Sequence, residues 1–98
     1  MSKNRYAARV DANQTTITDE LKQIPGVTVI KGMDDILVGY KGKTYWFEIK
    51  NPDTVGRDRQ VRPSAIKDSQ KELLKSYTGH YSIVWDIDQI LKEIGVCL

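Results

Sequence analysis

The sequence predicts a mixed α/β domain, one sheet of about four strands flanked by helices in the order α-β-β-β-α-β-α, and three observations lead there. Two β-prone runs, 36–40 and 44–49, flank the turn dipeptide Lys41-Gly42 and read as a hairpin. One face of that hairpin, Ile36, Val38, Tyr40, Tyr45, Phe47 and Ile49, is an almost unbroken apolar surface, so the hairpin belongs inside a covered sheet and not at its edge. Helical signals then stand before the first strand, between the third and fourth strands, and after the fourth, and a helix between two strands permits them to run parallel.

Taken in order, residues 1–10 are polar and expected to be flexible. Asp11 followed by Gln14 resembles a capping box, and Ile17, Leu21 and Ile24 give the helix behind it one apolar stripe that Pro25-Gly26 ends. Val27 to Ile30 is a short strand at the margin of the sheet. After the hairpin, the stretch 51–65 is rich in Pro, Gly, Asp and Arg and has no periodicity, so it is read as a long loop. A second helix is expected from Asp68 or Ser69 to about Tyr77, with Ser69 and Glu72 as its capping box and Leu73, Leu74 and Tyr77 facing inward. Gln70 falls on that buried stripe, where a glutamine needs a partner. The last strand spans 81–85, and Asp86 with Gln89 caps a final helix whose stripe is Ile87, Ile90, Leu91 and Ile94.

The 98 residues give room for a single domain, 1–98, and the 40% apolar and 29% charged composition is that of an ordinary globular protein with no run able to span a membrane. Cys97 is the one cysteine and His80 the one histidine, which excludes an internal disulfide and any zinc site built on cysteines or several histidines. His80 is expected on a surface turn, and Trp46 and Trp85 in packing roles. With no secretory h-region at the start, the chain is expected to be cytoplasmic. Fifteen basic against thirteen acidic residues leave a formal charge of +2, too slight by itself to imply nucleic acid. Distribution says more: Lys3, Arg5 and Arg9 cluster at the start, and Arg57, Arg59, Arg62 and Lys67 in the middle.

Counting back from a two-residue Lys41-Gly42 turn, Tyr40 opposes Lys43, Val38 opposes Tyr45, Leu37 opposes Trp46, and Asp35 opposes Glu48. Two carboxylates directly opposite one another destabilise a sheet unless something neutralises them, and a divalent cation would. Lys50, two residues beyond Glu48, falls on the same face by strand alternation. Asp34 should then point to the opposite face and is read as structural.

An Asp, a hairpin, then Glu-x-Lys is the signature of the PD-(D/E)xK nuclease superfamily. The ordered series G-M-D-D-I-L-V, F-E-I-K, a basic loop, D-S-Q-K-E-L-L and Y-S-I-V-W resembles, over about residues 11–95, the VRR-NUC domain in its small stand-alone phage and prophage form. The resemblance implies a restriction-endonuclease-like core and a metal-dependent DNA endonuclease in the cytoplasm of a bacterial host. Asp35, Glu48 and the Ile49 carbonyl would hold Mg²⁺ or Mn²⁺, hard ions suited to oxygen ligands, Lys50 would hold or activate water, and Gln70 would orient the lysine or the water. Arg57, Arg59, Arg62 and Lys67 would bind phosphate, and the expected partners are branched DNA of the four-way-junction type, or duplex, and a second copy of the chain. Two features depart from the family pattern. Asp34 stands where the family commonly has proline, and Thr16 stands where related phage sequences often carry a glutamate, a role open to Asp19 or Glu20. The alternatives are a less selective endonuclease or nickase and, from another class, a catalytically silent DNA-binding or phage structural protein.

Overall fold

Lys41 and Gly42 both take positive φ, 52° and 79°, the pairing that lets a two-residue turn follow the right-handed twist of its strands. The turn fixes the register that counting predicts. In the computed structural model, which describes residues 13–96, strand β2 (Asp35–Tyr40) and strand β3 (Lys43–Ile49) are antiparallel. Asp35 stands opposite Glu48, Leu37 opposite Trp46, Val38 opposite Tyr45 and Tyr40 opposite Lys43. Strand β1 (Thr28–Lys31) pairs antiparallel with β2, and strand β4 (Tyr81–Val84) pairs parallel with β3, so the hairpin occupies the two inner places of a four-stranded mixed sheet ordered β1-β2-β3-β4. Segment 1–10, expected to be flexible, the expected Asp11 cap and Cys97 lie outside the described residues.

Three helices complete the α-β-β-β-α-β-α order: α1 over residues 13–22, α2 (Asp68–Ser76) and α3 (Ile87–Ile94). Ile17 and Leu21 of α1 and Ile90, Leu91 and Ile94 of α3 form one buried cluster with Ile36, Val38, Phe47, Ile49 and Val84 of the sheet. Alternation along each strand puts the sheet members of that cluster on one face. The other face, with Asp35, Leu37, Trp46 and Glu48, is left to α2 and the segment before it.

Helix α3 is capped as expected: Asp86 Oδ1 accepts the Gln89 N–H at 3.0 Å, and Gln89 Oε1 accepts the Asp86 N–H at 3.2 Å and the Trp85 N–H at 2.7 Å. Helix α2 departs from expectation. It starts at Asp68, within the expected range, but the Ser69–Glu72 box does not form, because the N-cap is Lys67, two residues before Ser69, and Gln70 Oε1 takes the Lys67 N–H at 3.0 Å. Glu72 instead accepts a bond from Ser76 Oγ, one turn along the same helix. Of the three residues expected to face inward, Leu73 is half-buried, whereas Leu74 and Tyr77 are 50% and 48% exposed.

The stretch 51–65 is also more ordered than its composition suggests. Asn51 Oδ1 accepts the Asp53 N–H at 2.9 Å and starts a 3-10 turn, Pro52–Thr54. Val55 and Val61 then form an antiparallel bridge, closed by Gly56 N–H to Gln60 O and Arg62 N–H to Thr54 O. A second 3-10 turn, Pro63–Ala65, leads into α2. Local side-chain and turn bonds replace the missing periodicity here.

Candidate active site

Glu48 and Lys50 leave β3 on the face away from the core, yet both are buried, at 4% and 9% exposure. Lys50 Nζ lies 3.9 Å from Glu48 Oε2. That oxygen is buried and accepts no hydrogen bond, a costly state for a carboxylate unless a cation reaches it. Burial, the nearby Asp34 carboxylate with which Glu48 shares a hydrogen bond, and Asp35 together push the Glu48 carboxyl up to about 8, against a smaller opposing pull from Lys50.

The strongest acidic neighbour of Glu48 is thus Asp34, which corrects the expectation that Asp34 turns to the opposite face. Strand alternation does not reach it. Met33 and Asp34 are the two loop residues of a tight connection from β1 to β2, closed by Gly32 N–H to Asp35 O at 2.8 Å. The Asp34 carbonyl accepts the Ile49 N–H at 2.9 Å, so its backbone is fixed against β3.

Asp35 keeps its counted place opposite Glu48 but is held from elsewhere. Trp46 Nε1 donates to Asp35 Oδ2 at 2.9 Å. The other carboxylate oxygen folds back over Gly32, and a Cβ there would lie 2.1 Å from Asp35 Oδ1. Only glycine at position 32 leaves room for that rotamer. Main-chain Ile49 lies between Glu48 and Lys50, and the Lys50 N–H continues the ladder to Val84 O at 2.8 Å.

Helix α1 reaches the same place through amides. Gln14 Nε2 donates to Asp35 O at 3.0 Å and to Gly32 O at 3.3 Å, and Asn13 Nδ2 donates to Lys50 O at 3.0 Å. Both ends of the Asp-hairpin-Glu-x-Lys unit are therefore tied to one helix. Thr16, Asp19 and Glu20 are exposed, and neither of the two acids is among the charges acting on Glu48. Gln70 is buried at 6%, and its oxygen caps α2.

Arg57, Arg59, Arg62 and Lys67 are exposed. Arg57 and Arg59 sit at the tip of the small 55–61 hairpin, with Arg59 at φ 62°, and one Arg62 guanidinium nitrogen donates to Asp53 O at 2.6 Å. His80 is exposed as expected and pairs with Glu93 at 2.7 Å, which also accepts from Ser82 Oγ at 2.6 Å.

Two participants escape sequence reasoning. Tyr81 enters from β4 next to Trp46, with ring centroids 4.8 Å apart, and its buried hydroxyl has no hydrogen-bond partner. Trp46 is a packing residue as expected, between Tyr77 at 5.5 Å and Tyr81, but its indole N–H also holds Asp35. Pairing across the hairpin does not reach Tyr81, which the parallel strand brings in, whereas it does put Trp46 on the face of Asp35, from which an indole can span the diagonal to that carboxylate.

Among the described residues, no three His, Cys, Asp or Glu side chains converge closely enough to form a complete metal cage. Mg²⁺ does not need one, since it is commonly held by one or two carboxylates, with water and substrate phosphate supplying the rest. Hard carboxylate oxygens beside an orphaned buried Glu48 Oε2 fit such an ion. Among the described residues, no helix is long and apolar enough to cross a membrane. Compared with protein-family models, curated proteins and solved structures, the chain finds no match.

Proposed function

We propose that the chain is a divalent-metal-dependent endodeoxyribonuclease of VRR-NUC type with a restriction-endonuclease-like core, acting on branched DNA as a homodimer. The observation that carries the reading is Glu48: a buried acid whose Oε2 accepts no hydrogen bond and has a lysine ammonium 3.9 Å away, with further carboxylates at the same strand ends. A sheet with only a structural task gains nothing from this arrangement, because each buried polar group without a partner costs stability. That favours a working site over a silent DNA-binding protein of the same fold.

Glu48 and Asp35, with the Ile49 carbonyl, would hold Mg²⁺ or Mn²⁺, and Asp34, which shares a hydrogen bond with Glu48, is an alternative second carboxylate. When bound, the ion supplies a nucleophilic water and neutralises charge that builds on the phosphate. Glu48 must give up its proton to act as a ligand, so its raised pKa makes loading compete with protons. Lys50, buried and fixed through its backbone at both ends, holds its ammonium beside Glu48, where it orients water and stabilises the pentacovalent phosphate. The arginines at the hairpin tip give backbone contacts outside the site and favour shape over sequence as the feature read.

Calorimetric titration with Mn²⁺, followed by cleavage of linear duplex, single-stranded and four-way-junction DNA, tests the reading. Wild type is expected to bind one ion per chain, Asp35→Ala and Glu48→Ala to bind it more weakly, and junction DNA to be cut only with metal. Absence of both metal binding and cleavage would refute it.

A further inference from the structure

Tyr81 opens β4 directly beside Trp46 in a parallel register. Neighbours in that register share a face, and Trp46 shares its face with Glu48 two residues on. Tyr81 therefore lies on the acid face of the sheet. Its ring is pinned edge-on to Trp46 at 4.8 Å, and Trp46 is itself tied to Asp35 by the 2.9 Å indole bond. The hydroxyl at the end of this rigid ring is buried, accepts nothing and donates to nothing. Phenylalanine would fill the same space without leaving a polar atom unpaired, so packing alone does not account for the hydroxyl.

We propose that the Tyr81 hydroxyl donates a hydrogen bond to a non-bridging oxygen of the phosphodiester bound at the Glu48–Lys50 site, an inference that rests on the nuclease reading. A donor is what the position can offer. Burial first, and then the charges of Glu48, Asp35 and Asp34, push the phenol up to about 12, so it keeps its proton throughout the neutral range. An acceptor that arrives only with substrate explains why the protein supplies none. Lys50 and Tyr81 would then approach the phosphate from adjacent strands, β3 and β4, as two donors fixed before the substrate binds.

Tyr81→Phe, with Lys50→Ala as reference, separates this inference from the reading beneath it. The phenylalanine variant is expected to bind Mn²⁺ with the wild-type affinity, to melt no lower than wild type without metal, and to keep KM while kcat falls about 10- to 100-fold. A phosphorothioate at the cleaved position, whose sulfur is a poor acceptor, should slow wild type in one diastereomer and slow Tyr81→Phe by less, as coupled partners require. Wild-type kcat in Tyr81→Phe beside an inactive Lys50→Ala would overturn the Tyr81 role and leave the nuclease standing. A fall in melting temperature or in Mn²⁺ affinity that accounts for the lost activity would make the hydroxyl structural and likewise overturn it. A wild type that cuts no DNA with any divalent ion would remove both.

Discussion

Glu48 carries a titration that its neighbours have shifted, and the sign of its consequences follows. Its carboxyl titrates near 8 when folded, against an ordinary 4.5, because burial and Asp34 disfavour the charged form. The folded chain therefore holds this proton at pH values where the unfolded chain has lost it. The stabilising contribution is complete below about 4.5 and is lost as pH rises through about 8. Metal-free protein should melt at a higher temperature at pH 5 than at pH 9, and Glu48→Gln should flatten that decline and melt above wild type at pH 9. Equal pH slopes in the two proteins would show that Glu48 is not the group. Metal affinity runs the other way. Mn²⁺ displaces the proton, so binding should tighten from pH 6 to about 8 and then level off, with an enthalpy that depends on buffer ionisation. At Lys50 the expected effect lies in turnover: Lys50→Ala should lose about 10²-fold or more in cleavage while Mn²⁺ binding persists. Near-normal cleavage by that variant would make the lysine a mere counter-charge.

At the scale of elements, the hairpin was legible because strand alternation and a Lys-Gly turn are local rules, and Asp35 opposite Glu48 required nothing else. Asp34 was misplaced by the same rule, applied one residue beyond its reach into the β1–β2 turn. Gln14 looked like half of an N-cap because only its spacing was visible. Its reach across to the carbonyls of Gly32 and Asp35 depends on how α1 lies on the sheet. Helix α2 shows the converse: an apolar pattern whose Leu74 and Tyr77 stay half exposed, Tyr77 resting edge-on against Trp46. Two predictions belong here. Gly32→Ala places a methyl where Asp35 Oδ1 lies, so Asp35 must rotate. Mn²⁺ affinity should fall with little change in cooperative unfolding, and unchanged affinity would remove Asp35 from the ligand set. The 55–61 hairpin carries the exposed Arg57 and Arg59 at its tip, with Arg62 at its base. Replacing all three should weaken DNA binding across sequences and lower its salt slope by up to about three. Retained affinity and slope would reduce the hairpin to a connection.

On the scale of the whole molecule, both apolar helix stripes are consumed inside: Ile17 and Leu21 of α1, and Ile90, Leu91 and Ile94 of α3, are buried in the core. Neither is left for a second copy. Besides Leu74 and Tyr77 at α2, the exposed large apolar side chains among the described residues lie at the β1 side of the sheet, where Ile30 and Met33 are 69% and 90% exposed and Leu37 is partly so, beside a groove of ≈ 350 Å³ that Asp35 and Trp46 also line. Among the described residues strand β1 is also an edge strand, and an edge strand's outer backbone groups can pair with another chain. A homodimer joined along this edge would bring two Glu48 sites onto related positions about a two-fold axis, as paired cuts in a junction demand of a chain with one site. Sedimentation at micromolar concentration should therefore show a dimer that Ile30→Lys converts to monomer without altering the fold by circular dichroism. Mixing Glu48→Ala with wild-type chains should then give hybrids that cut one strand only. A wild-type monomer with full junction activity, or an Ile30→Lys dimer, would exclude this edge as the interface.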